Sequence, residues 1–202
     1  MSRTKLFAAA LVAVSLVAVG CAKPPQQELD AAKAAMAEVE AAGASKWAPE
    51  AWAKVQESMN AVTAEVDAQN AKFALLRSYS KAKELLAAFN TTVADAKTAA
   101  AAGKEQWRND AQAAVDAAKA AATATQTAMT DLEGCKRKPK GFAKDMEMLK
   151  GSFDSLNGQL AGLDGQMTSE DYQGAKSAAE SLKGQLDSLA AEFANAKTKI
   201  KC

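Results

Sequence analysis

Three cysteines and no histidine define the reactive inventory of this chain. Without histidine, the usual general base and the commonest metal ligand are both missing. Cys21 closes the run Leu16-Val17-Ala18-Val19-Gly20-Cys21, behind a basic start at Arg3 and Lys5 and an apolar stretch from Leu6 to Val19. That layout matches an export signal ending in small residues. A cysteine at the cut site supplies a thiol suited to taking a diacylglycerol before cleavage. Cys135 and Cys202 remain, and in the oxidising compartment that export implies they have only each other to pair with. Such a bond closes a loop of 67 residues. It is expected to stabilise by about 4 kcal/mol in the chain-entropy model. No Cys-x-x-Cys is present, so a redox role is not expected.

The Cys21 junction resembles a bacterial lipobox, which gives 1–20 as signal peptide and 21–27 as a lipidated tether. The other reading is an ordinary signal cut nearby, since alanine stands at position 18 where leucine is the stronger choice. The apolar stretch is shorter than the roughly 20 residues of a membrane span, so the expectation is anchored rather than spanning. Several acyl chains on one cysteine are enough for lasting attachment. Ala22 follows, with no aspartate to resemble an inner-membrane retention signal. The expected location is therefore the outer membrane, facing the periplasm. Removal of Arg3 and Lys5 turns 25 bases against 24 acids into 23 against 24, a formal charge of −1. That balance gives no reason to expect nucleic acid as a partner. Acidic pairs such as Glu38/Glu40 and Glu170/Asp171 have no histidine or cysteine beside them, so neither cofactor, metal nor enzymatic chemistry is expected.

The elements around these residues read as all-α, in antiparallel helical hairpins resembling an elongated coiled-coil bundle. Alanine is abundant, while glycine and proline are sparse, a composition that favours helix. Leu29, Ala32, Met36 and Val39 mark one face of a first helix, ended by Gly43. Pro49 opens a second, with Trp52, Val55, Met59, Val62 and Val66 as its stripe. That register fails past Phe73, and a new stripe reads Leu75, Tyr79, Ala82, Leu86, Phe89, Val93, Ala96. The phase break predicts a turn or kink in 71–78, with one continuous helix as the weaker alternative. Gly103 is expected to punctuate before a helix from about Glu105 to Leu132, with the stripe Val115, Ala118, Ala122, Thr125, Met129 and Leu132, where the small residues bury little area each.

The last third alternates spacings of four and three without a fault. Phe142, Met146, Leu149, Phe153, Leu156, Leu160, Leu163 and Met167 form one stripe, and Tyr172 through Ile200 form another. Thr168-Ser169-Glu170-Asp171 between them offers capping-box chemistry. Two matched stripes around one cap predict an antiparallel hairpin. The midpoint of Cys135 and Cys202 falls in that cap, so a hairpin bent there sets the cysteines side by side. The expected organisation is a helical region over 28–134, including a hairpin over 49–103, and a disulfide-closed hairpin over 135–202. A weak repeat relates Trp52-Ala53-Lys54 and Tyr79 to Phe142-Ala143-Lys144 and Tyr172, at a level chance also produces.

Residues from Pro24 to about Lys97 resemble a bacterial domain-of-unknown-function family of small α-helical envelope lipoproteins, sometimes found ahead of OmpA-like domains. The resemblance rests on Pro24-Pro25, Glu28-Leu29, Ala32, Ala35, the Ala41-Ala42-Gly43-Ala44 turn, Ala48-Pro49-Glu50, and Tyr79 with Ala82-Lys83. It implies envelope location and helical hairpins rather than a reaction. No OmpA-like domain is read in the residues after Lys97, so peptidoglycan binding through such a domain is not expected.

Two clusters could meet a partner. Lys136, Arg137, Lys138 and Lys140 follow Cys135, and the disulfide would add Lys197, Lys199 and Lys201. Such a density suits lipopolysaccharide phosphates or peptidoglycan carboxylates; the plainer reading is a solvated loop and a well-charged helix end. Trp47, Trp52 and Trp107 could gather at one hairpin end as a contact cluster, or serve as core. The chain reads as a lipid-anchored structural or adaptor protein, acting on an envelope protein partner or on itself. The alternative is a binding module for peptidoglycan or lipopolysaccharide.

Overall fold

The computed structural model describes residues 22–202, so the export signal and Cys21 lie outside the described residues. Its helices are α1 (Gln26–Ala41), α2 (Ala44–Trp47), α3 (Pro49–Asn70), α4 (Ser80–Glu133), α5 (Phe142–Thr168) and α6 (Tyr172–Lys199). The class is all-α, as the composition indicates. Two compact units divide the chain, one reaching Gly103 and the other running from Lys104 to Cys202. The division thus falls earlier than the boundary expected at residue 134. None of the described helices is long and apolar enough to cross a membrane.

In the first unit, α1 starts directly after the two prolines, and the Leu29 amide donates to the Pro25 carbonyl at 3.0 Å. Pro25 is buried and Ala22 packs on the unit's core. Within the segment expected as a lipidated tether over 21–27, Ala22 and Pro25 pack on the unit and α1 already begins at Gln26. Gly43 takes φ 79°, a left-handed turn that glycine adopts without a Cβ penalty, and α2 and α3 follow at once. The α3 stripe is buried as its spacing predicts: Trp52, Val55, Met59, Val62 and Val66. The break in 71–78 is a true interruption, holding one 3₁₀ turn at Ala74–Leu76. Leu75, placed on the buried stripe by its spacing, is instead 70% exposed. From Tyr79 onward the expected stripe enters the core.

Gly103 does not interrupt anything, because α4 continues through it to Glu133. Glycine inside a helix costs about 1 kcal/mol against alanine, yet a side chain here has no room. A Cβ built on Gly103 would lie 2.1 Å from the Trp47 carbonyl oxygen. The glycine marks a close backbone crossing, and spacing alone cannot distinguish that from a helix end.

The second unit packs the later part of α4 with α5 and α6. Lys104–Glu170 (2.7 Å) and Lys119–Asp164 (2.9 Å) set α4 antiparallel to α5. Lys176–Asp110 (3.1 Å) and Lys197–Asp131 (2.9 Å) set α6 parallel to α4. The core joins Val115, Ala118, Ala122, Met129 and Leu132 to Phe153, Leu160, Leu163, Leu182, Leu186 and Phe193. Thr125, wholly buried, presents its hydroxyl to the Ala121 carbonyl (2.8 Å) and across to the Leu186 carbonyl (2.9 Å). The single hydroxyl proton is shared between them.

The turn between α5 and α6 is built differently from a capping box. Glu170 takes φ 59°, the Asp171 amide donates to Gln166 (2.9 Å) and the Glu170 amide to Met167 (3.2 Å). That is a Schellman close to α5 without the usual glycine. Asp171 alone caps α6, its carboxylate accepting from the Gly174 amide at 3.2 Å. Thr168 spends its hydroxyl on the Asp164 carbonyl behind it.

Candidate functional site

The end of α6 repeats the Schellman pattern: Lys201 takes φ 53°, with Cys202 N–H donating to the Lys197 carbonyl (3.3 Å) and Lys201 N–H to Thr198 (3.0 Å). This reversal brings Cys202 back to Cys135, just past the end of α4, with Cα atoms 5.6 Å apart in the disulfide. Cys135 is buried against Leu132 and the rest of the second core, while Cys202 is exposed. The bond therefore ties the ends of α4 and α6 together.

Around it the basic residues gather from two directions. Lys136, Arg137, Lys138 and Lys140 are exposed on the loop between α4 and α5, and Lys199 and Lys201 are exposed at the end of α6. Lys197 is different, since its amine is held by Asp131 at 2.9 Å. The Lys138 amine lies 5.7 Å from the Phe142 ring centre, within reach of a cation–π attraction. Glu133, the nearest acid in sequence, is drawn off by an ion pair with Lys150. Among the described residues no ion pair engages Lys136, Arg137, Lys140, Lys199 or Lys201.

Between these cations runs a groove of about 430 Å³, with Leu132, Met146, Leu149 and Ile200 on its floor. Lys140 and Lys199 stand on its rim with Asp145 and Glu192. Met148 also lines it and is 58% exposed. The charge cluster was legible in the sequence, whereas the groove was not: it arises where the α6 reversal leaves Ile200 facing the first turns of α5. In chemical terms this end offers an apolar slot whose rim carries both signs of charge, with further cations on the neighbouring loop.

The tryptophans behave otherwise. Trp47 and Trp52 are buried in the first unit at 8% and 9% exposure, serving as core and as the close crossing over Gly103. Trp107 belongs to the second unit, half-buried, with the Lys176 amine 5.4 Å from its ring centre.

The Lys176 amine also donates to Asp110, which with a second bond from Gln106 holds that carboxyl below its ordinary value. Glu38 is lowered by the hydrogen bond and charge of Lys97, and Lys104 is raised by its hydrogen bond to Glu170. All three lie on solvated ion pairs that join helices. No family model, curated protein or solved structure matches this chain.

Proposed function

We propose that the chain is a lipid-anchored structural or adaptor protein of the bacterial outer membrane, facing the periplasm and offering helical surface to a protein partner. The observation that carries this reading is the division of labour among three cysteines. Two are joined in a disulfide that closes a helical unit, a bond that persists in oxidising compartments. The third stands at the export junction with nothing else to do. The resemblance of 24–97 to small helical envelope lipoproteins supports the same location. Intact mass and palmitate labelling of protein from membranes test it. Acylated Cys21, with processing blocked by globomycin, is the expected result; a free or absent Cys21 overturns the anchor. Photocrosslinking in intact cells from Lys138 then reads which envelope protein, if any, is held.

A second reading is favoured by six cations at the disulfide-closed end, Lys136, Arg137, Lys138, Lys140, Lys199 and Lys201, which no ion pair engages among the described residues. There the protein would bind an anionic envelope polymer, peptidoglycan or lipopolysaccharide. Retention on either polymer should fall steeply between low and high salt. It should also fall when Lys136, Arg137, Lys138 and Lys140 are changed together to glutamine. Retention indifferent to both leaves the protein-adaptor reading alone.

A further inference from the structure

The tip between α3 and α4 exposes three large apolar side chains in four residues: Phe73 (71%), Leu75 (70%) and Leu76 (72%). They do not belong to a loose loop. Arg77 reaches back beneath them, Nε donating to the Lys72 carbonyl (3.0 Å) and Nη2 to the Asn70 carbonyl (2.9 Å). The Asn70 carbonyl ends α3 and lacks a helical partner, and the Lys72 carbonyl lies two residues beyond it. The Gln69 side-chain oxygen, on a buried residue, accepts from the Ser78 amide (3.1 Å) and the Lys72 amine (3.0 Å). The Tyr79 hydroxyl donates to Asn70 Oδ1 at 2.6 Å. The Leu76 amide closes on the Phe73 carbonyl at 2.8 Å. The flanks of the tip are thus pinned by hydrogen bonds while its three large apolar side chains are exposed. From Ala71 to Tyr79 the tip carries Lys72 and Arg77 and no acid.

The chain's entry point lies at this same end of the first unit. Glu28 pairs with Lys83 (3.9 Å) and Glu38 with Lys97 (2.6 Å), so α1 and α4 run in one direction and both begin here. Ala22 is already packed on the core, and one peptide unit, about 3.8 Å between Cα atoms, joins it to Cys21. There is no slack in which a lipid on Cys21 could hold this unit away from a bilayer.

We infer that the 73–76 tip is a second membrane contact, inserting Phe73, Leu75 and Leu76 into the interfacial region of an anionic leaflet beside the acylated Cys21. It rests on the lipid-anchor reading for its position, though not for its chemistry. Contact at headgroup depth asks only that the apolar side chains leave water, and Lys72 and Arg77 suit anionic headgroups. A second copy of the chain is the poorer occupant. Three side chains, at about 150–250 Å² for an aromatic one, fall short of the roughly 800 Å² per partner of a stable protein interface. A membrane contact needs no such area when acyl chains supply the attachment; the tip fixes the orientation of the unit on the surface.

Full-length protein carrying Leu75→Cys, purified from membranes and labelled with an environment-sensitive nitrobenzoxadiazole dye, tests this in vesicles of phosphatidylethanolamine and phosphatidylglycerol. With Cys21 acylated and Cys135 bonded to Cys202, the new thiol is the sole labelling site. The expected result is a blue shift, with more than half the emission lost to nitroxide-labelled lipid. The same dye at Glu40→Cys, at the other end of the unit, should show neither. A dye at residue 75 that stays in water, on protein that floats with the vesicles and carries acylated Cys21, overturns the tip and spares the anchor. Unacylated Cys21 in the parent protein, with residue 75 still quenched by lipid in a Cys21→Ser background where it is the sole thiol, overturns the anchor and spares the tip. A shift that grows with protein density and escapes lipid quenching assigns the tip to a second copy and overturns the proposal.

Discussion

Gly103 shows how a single residue can carry opposite meanings in sequence and in space. Helix propensity says that Gly103→Ala should stabilise by up to about 1 kcal/mol. The Trp47 carbonyl, 2.1 Å from where the new Cβ would lie, says the reverse. The opposing atom is backbone, which gives way poorly, so the substitution should destabilise the first unit by about 1–3 kcal/mol. Urea unfolding followed by tryptophan fluorescence checks the sign. Stabilisation would mean that the crossing is looser than the structure has it. Glu38 offers a second test at this scale. Lys97 holds its carboxyl below the ordinary 4.5. A lowered folded-state pKa contributes stability above the unfolded value, and that contribution is lost as pH falls through the folded one. Lys97→Met should therefore return Glu38 toward 4.5 and weaken the acid dependence it causes. Asp110, held down by Lys176 and Gln106, should stay where it is. Carbon-detected carboxylate titration by NMR reads both sites in one experiment. Neither contact was visible beforehand, because each depends on which residues of distant helices face one another.

At the scale of elements, the apolar stripes were readable and the joints were not. The stripes of α3, α5 and α6 face the cores as their spacings predict, all buried but for Phe142, Leu149, Met167, Ala196 and Ile200, which are partly buried, since burial of one face is what a period near 3.6 encodes. Leu75 escaped this logic. It fits the stripe by number but precedes the helix, where spacing has no geometric meaning. The helix ends at Glu170 and Lys201 escaped too, because both adopt left-handed backbone without being glycine. Asp171 then does the capping that a four-residue motif was expected to share. Asp171→Ala should cost about 1 kcal/mol, with amide exchange faster at Gly174 and its neighbours and unchanged at the centre of α6. Equal acceleration along all of α6 would assign Asp171 a role in packing instead. Between helices, Thr125 is the one wholly buried polar side chain among the described residues. Its Leu186 and Ala121 acceptors keep helical partners of their own, so Thr125→Val should cost only about 0.5–1.5 kcal/mol.

For the whole molecule, the sequence pointed to helical hairpins throughout and the structure agrees in class, yet the division between units sits inside a helix. Gly103 stands at the division without ending the helix: α4 continues through it, and only its partners change, from α1 and α3 before to α5 and α6 after. Each unit thus has its own core, and each should have its own unfolding transition, a situation in which one melting temperature does not describe the protein. The disulfide lies wholly within the second unit. Replacing Cys135 and Cys202 together by serine removes about 4 kcal/mol of loop-closure stabilisation. At about 4–8 °C per kcal/mol for a domain of this size, the corresponding transition falls by roughly 15–30 °C. Hydrogen exchange should follow the same line. Val115, Leu186 and Phe193 should lose protection, while Val55, Val62 and Phe89 keep theirs, because the continuous α4 backbone can fray at one end without releasing the core at the other. Calorimetry of the full chain showing one transition that moves as a whole would mean that α4 couples the cores into a single cooperative body.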